Sequence, residues 1–165
     1  MTDHPLQAAL ATWLPEFDFS VLGHRFAEHG RDYLLIIQVA GTGIYELTLT
    51  HVVEQHYETN VGVDVWPRSW DDILTDYKLW KASSPLADGY VWGTNSSLAY
   101  PGIELPDGEA AALKWSNALG KPMFAVDLTT DRFKLRLIFH GAKWRKTSAN
   151  DAAIASILNP LTPLG

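Results

Sequence analysis

The stretch that most restricts the fold is Arg31-Asp32-Tyr33-Leu34-Leu35-Ile36-Ile37-Gln38-Val39. It is rich in β-branched and aromatic residues and too apolar to leave one face in water, so it reads as a central strand. Gly41-Thr42-Gly43 follows as a hairpin turn, with glycines free to take positive φ. Ile44 to Tyr57 then returns with Tyr45, Leu47, Leu49, His51 and Val53 on one face and Glu46, Thr48, Thr50, Val52 and Glu54 on the other.

The rest of the chain supplies hairpins and capped helices around this strand. Leu6, Leu10, Trp13 and Leu14 stand at helical spacing and Pro15 stops the run, which predicts a leading helix over 6–14. Phe17 to Val21 alternates as a strand, and Gly23 to Gly30 reads as a polar connection. Ser69 caps a helix whose stripe is Trp70, Ile73, Leu74, Tyr77 and Trp80. A loop-rich stretch to Pro106 holds one short strand near Tyr90-Val91-Trp92. Asp107 opens a helix from Glu109 to Leu119, stopped by Gly120 with Pro122 beyond. Met123 to Thr129 turns through Thr130-Asp131-Arg132 into Phe133 to His140, with Phe133, Leu135, Leu137 and Phe139 facing inward. A closing helix is expected over 150–158. The predicted class is α+β: a mostly antiparallel sheet of five or six strands with two to four helices packed on it, in a single domain spanning 1–165.

Composition narrows the chemistry. Zero Cys excludes disulfides and thiolate sites and accords with a reducing compartment, so a cytoplasmic location is expected. The N-terminus has no basic region and no stretch holds 18 uninterrupted apolar residues, so neither a secretion signal nor a membrane span is expected. A net charge of −6 argues against general nucleic-acid binding. The charge is also unevenly spread. Residues 46–76 carry Glu46, Glu54, Glu58, Asp64, Asp71, Asp72 and Asp76 against Arg68 alone, a local net of −6. Residues 111–146 carry Lys114, Lys121, Arg132, Lys134, Arg136, Lys143, Arg145 and Lys146 against Asp127 and Asp131, a local net of +6. Either the two segments pair within one sheet, or the acidic one recruits a basic partner.

No complete catalytic triad, metal box or phosphate loop is present. His24 and His29 are five apart, as are His51 and His56, and on a strand that spacing puts the members of each pair on opposite faces. A composite site from His24, His29, His51 and His140 stays open if the strands align, but neither a metal nor a cofactor is expected. Arg31-Asp32 has the pattern of an ion pair anchoring a loop, and Asp71 and Asp72 fit the first turn of a helix. Trp70 and Trp80 belong to the core stripe, whereas Trp66 and Trp92 lie in turn-rich surroundings where an aromatic ring can serve as a contact.

The order of short motifs carries a resemblance. His24-Arg25-Phe26 with Arg31-Asp32-Tyr33, Ser69-Trp70-Asp71-Asp72 with Asp76-Tyr77 and Trp80, Gly89-Tyr90-Val91-Trp92-Gly93 with Asn95, Tyr100-Pro101-Gly102, and Leu119-Gly120-Lys121-Pro122-Met123 resemble the motifs of the YxiG-like family of small bacterial proteins, over about 17–140. The resemblance implies a bacterial cytoplasmic protein without assigned catalytic residues, and an immunity role from the company some relatives keep with secreted toxins. The leading expectation is a non-enzymatic binding protein, an immunity or antitoxin-like domain that neutralises a basic toxin domain. Its partner face is expected at Glu54, Glu58, Asp64, Asp76, Trp66 and Trp92. The alternative is a small hydrolase or ligand-binding enzyme using His24, Arg31, Asp32 and His140 around an aromatic pocket.

Overall fold

The computed structural model describes residues 3–13, 19–63, 96–151 and 154–155. Within them run α1 (Gln7–Trp13), β1 (Phe19–Ala27), β2 (Asp32–Val39), β3 (Gly43–Thr50), β4 (Glu54–Thr59), β5 (Ser97–Glu104), α2 (Ala110–Leu119), β6 (Phe124–Thr130), β7 (Phe133–Phe139) and β8 (Gly141–Thr147). The eight strands form one sheet in the order β4-β7-β6-β5-β1-β2-β3-β8, and every ladder is antiparallel.

The sheet curls so that its two halves enclose one core. One half is β1-β2-β3-β8 and the other β4-β7-β6-β5, and the short ladder of β1 with β5 joins them along one side. On the opposite side β3 runs on into β4 and β7 runs on into β8, so both chain runs bend from one half into the other. His140 N donates to Thr50 O at 3.0 Å and Val53 N to Ile138 O at 2.9 Å, which keeps the pairing continuous through the bend. Corners of this kind are how two orthogonally packed sheets share strands.

Alternation decides what the core contains. Tyr33, Leu35, Ile37 and Val39 of β2 meet Tyr45, Leu47 and Leu49 of β3 and, from the other half, Val126, Leu128, Phe133, Leu135, Leu137 and Phe139. Leu6, Ala9 and Leu10 of the N-terminal segment join the same core. His4 pins that segment: Leu6 N donates to His4 Nδ1 at 3.2 Å, and His4 Nε2 lies 3.0 Å from Ala125 O. On the outer surfaces, α2 packs Ala112 against Met123, Ala125 and Ile138, and Ile154 covers Leu34 and Ile36. β2 is thus covered on both faces, as its composition requires.

The structure corrects the expected class. Eight strands and two α-helices longer than one turn occur among the described residues, not five or six strands with two to four helices. Three local causes account for the difference. The expected return strand 44–57 breaks at His51, whose φ of 54° is left-handed. Residues 97–104 pair as a strand in spite of Pro101 and Gly102, because the ladder with β6 skips from Ala99 to Gly102. The cationic run 141–147 finds its place opposite β3. The expected helix on Ser69 to Trp80 and the strand near Tyr90 lie outside the described residues, as does all of 150–158 except 150–151 and Ile154-Ala155. The helix read as capped by Asp107 is capped instead by Glu109, whose Oε2 accepts from Ala111 N at 2.6 Å and Ala112 N at 3.0 Å.

Candidate functional site

A β-bulge in β1 builds the most chemically specific place in the molecule. Phe19 and Val21 stand opposite Val39 and Ile37, on the inner side. Between Val21 and Gly23 the register then slips by one residue, which inverts the facing of everything beyond it. Leu22 packs outward beside Leu34 and Ile36. His24 and Phe26 fall opposite Leu35 and Tyr33, on the inner side, where regular pairing would have pointed Gly23 and Arg25.

At this mouth the rings gather. His24 is 4.7 Å from Phe133 and 5.9 Å from Tyr57 between centroids, and Tyr57 stacks on Phe133 at 5.4 Å with 23° between planes. Phe26 meets Tyr33 edge-on at 4.9 Å. His24 Nδ1 lies 2.7 Å from the Tyr33 hydroxyl, to which Gln55 Nε2 donates at 3.4 Å. Burial holds the His24 pKa below the ordinary imidazole value. Burial, aided by Tyr57, pushes the Tyr33 phenol up to about 12. Both are neutral near pH 7. His24, Tyr57 and Phe133, with Ser96, Ser97 and Arg132, line a cleft of about 210 Å³.

The second constellation sits at the corner between β3 and β4. Arg31 Nε and Nη2 form a fork on the Asp32 carboxylate at 2.9 and 3.1 Å, and His51 N donates to Asp32 Oδ1 at 3.0 Å. Val52 N donates to Arg31 O at 2.7 Å. Hydrogen bonding from Arg31 is the main cause that holds the Asp32 pKa below the usual carboxylate range, with the His51 N–H adding to it and burial opposing. The His51 and His140 rings meet edge-on at 6.0 Å, and His140 Nδ1 lies 2.8 Å from Pro122 O. The geometry is that of a clamp on the left-handed turn at His51.

The four residues expected around one pocket therefore divide. Arg31, Asp32 and His140 gather at the corner, while His24 faces the aromatic mouth. His24 shares no hydrogen bond, ion pair or ring contact with the other three among the described residues. Nor does any group of three or more His, Asp or Glu among those residues converge as a metal site.

Of the expected partner face, Glu54 and Glu58 lie on β4, whose six residues are all exposed. Asp64, Asp76, Trp66 and Trp92 lie outside the described residues. The acidic and basic segments are neighbours in the sheet. Glu58 stands opposite Lys134, and Arg145 Nη2 donates to Glu46 at 2.7 Å. Glu54 accepts from Trp115 Nε1 at 2.9 Å. Arg136 is held by Asp127 at 2.6 Å.

Tyr33, Gln55, Tyr57 and Phe133 were not singled out by the sequence as site residues. A signal existed: the inward phase runs through Phe19 and Val21 and resumes at His24 and Phe26, with a glycine between, the usual mark of a bulge.

Fold and mouth together define a small β-barrel-like protein, antiparallel throughout its described ladders, with an aromatic cleft at one end. The profile of the YxiG-like protein family matches residues 2–156, and the chain belongs to that family. No curated protein matches the chain. Among solved structures, an uncharacterised protein from Neisseria gonorrhoeae is similar over 79% of this chain and 92% of its own, with 10% identity and a TM-score of 0.39. No helix among the described residues is long and apolar enough to cross a membrane.

Proposed function

We propose that this YxiG-like protein is a non-enzymatic protein-binding domain of the bacterial cytoplasm, an immunity or antitoxin-like protein that holds a basic toxin domain against the outer face of β4. The observation that carries this reading is the exposure of all six β4 residues, with Glu54 and Glu58 on the outer side and a ladder on one edge alone among the described residues. An edge of this kind is a template for another chain, and its charges restrict which chain. The overall charge of −6 supplies the long-range attraction that speeds encounter with a cationic partner. Glu46, engaged by Arg145, takes no part in that face.

The test starts by identifying a protein that co-purifies with the intact chain and confirming direct binding with both components pure. Association is then followed by stopped flow for the wild type and for the combined Glu54→Gln, Glu58→Gln and Asp76→Asn variant. The variant slows association several-fold at low salt, and the difference shrinks as the screening length falls to ~8 Å at physiological ionic strength. Equal rates for the two proteins across salt concentrations remove the acidic face from the interaction.

A further inference from the structure

We propose that the cleft walled by His24, Tyr57 and Phe133 is a binding site for a small planar molecule that presents a carbonyl or carboxylate oxygen to His24 Nε2. This goes beyond the protein-binding reading and rests on the inward-facing side chains of β4 and its neighbours, not on the outer Glu54 and Glu58. The direction of the hydrogen bonds comes first. Gln55 approaches the Tyr33 hydroxyl through its amide nitrogen, which can only donate. Tyr33 oxygen accepts that bond, and among the described residues the only acceptor within reach of its single proton is His24 Nδ1 at 2.7 Å. Nδ1 is then the accepting nitrogen, and the neutral imidazole carries its proton on Nε2. Nε2 has no hydrogen-bond partner among the described residues, on a side chain that lines the cleft. A donor held this way at the wall of a cleft is open to an acceptor from outside.

The walls set the rest of the chemistry. Tyr57 lies 23° from parallel with Phe133 and 26° with His24, while His24 and Phe133 are tilted 44° to each other, so the wall offers a flat ligand an aromatic surface centred on Tyr57. About 210 Å³ is below the ~300 Å³ at which drug-sized sites begin, and accommodates one aromatic ring with a small polar substituent. The mouths of β-barrels are among the places where such sites recur. The bulge in β1 turns His24 to this position, at the expense of regular pairing with β2.

Benzoate and benzamide are the probes, with benzylamine as a ring that lacks the oxygen. Side-chain ¹⁵N and aromatic ¹H NMR of the full chain first reads the His24 tautomer, expected as Nε2–H. Titration then gives a saturable shift of the His24, Tyr57 and Phe133 signals, at a Kd of ~10 mM or tighter as befits fragments of this size. Intermolecular NOEs from the probe to Phe133 place it in the cleft without any mutation. His24→Phe keeps a ring in the mouth but removes the donor, and weakens benzoate at least tenfold. Binding by benzoate alone or by benzoate and benzamide alike supports the site and tells whether charge is required. A proton on Nδ1, equal binding of benzylamine, or no shift at these three rings overturns the proposal.

Discussion

Asp32 shows how one buried carboxylate holds a corner. It accepts the Arg31 fork and the His51 N–H, so its two variants separate these duties. Asp32→Asn keeps an oxygen for His51 and gives up the charge opposite an exposed guanidinium, at a cost of about 1 kcal/mol. Asp32→Ala also strands the His51 N–H beside its left-handed turn, and should cost about 1–3 kcal/mol more. Chemical denaturation of both variants gives the ordering directly, and equal losses would mean the N–H bond contributes nothing. Acid sensitivity falls in two windows, one set by buried histidines and one by Asp32. His24 and His4 are held below the ordinary imidazole value by burial, in His4 against the opposing pull of Ala125 O and Asp107. As pH falls below about 6.5 the unfolded chain takes up protons that the folded one refuses, so stability declines until the folded values are passed. Asp32 titrates below its ordinary value when folded, so its contribution is complete above about pH 4 and is lost as pH falls further. Melting temperature against pH should show both descents, and His24→Phe should flatten part of the first while leaving the second.

The helix α2 offers a sharper test at the scale of an element. Its first turn hangs its amide groups on Glu109, whose other oxygen lies 3.6 Å from Arg136. Glu109→Ala removes the cap and should cost about 0.5–2 kcal/mol, whereas Asp107→Ala should cost little. Thermal melts of the two distinguish them, and the reverse order would return the cap to Asp107. Elements with an uninterrupted period were readable from the chain. The β2 run, the Tyr45-Leu47-Leu49 face, the Phe133 to Phe139 alternation and the stop at Gly120, with φ of 63°, are all where the pattern puts them. What escaped was every place where the period slips. The bulge at Leu22 disguised the second half of β1 as a connection, and so hid the inward aim of His24. The turn at His51 split one strand into two, and the skip to Gly102 disguised β5 as a loop. The polar composition of 141–147 gave no sign of a strand that draws its place from the partner opposite. Cross-strand partners are set by the fold, so a site assembled from β1, β2, β4 and β7 left only its individual rings in view.

Across the whole molecule, the opposed charges of the two chain segments acquire a structural meaning. Glu46 meets Arg145 and Glu58 faces Lys134, so the acidic strands lie against the basic ones and help to choose their register. The last of these pairings has a temporal consequence. Glu46 and Arg145 are 99 positions apart, and a ribosome delivers the first long before the second. At ~5–20 residues per second, β3 waits roughly 5–20 s for β8 after its own emergence. Through that interval β3 can pair with β2 while its other edge stays open, a nascent hairpin carrying Leu47 and Leu49 that become fully buried only in the finished protein. Translation speed and chaperone occupancy over those seconds therefore bear on the yield of folded protein more directly than the final stability does, since whatever reaches the β3 edge before Lys143-Trp144-Arg145 emerges competes with the chain's own closing strand.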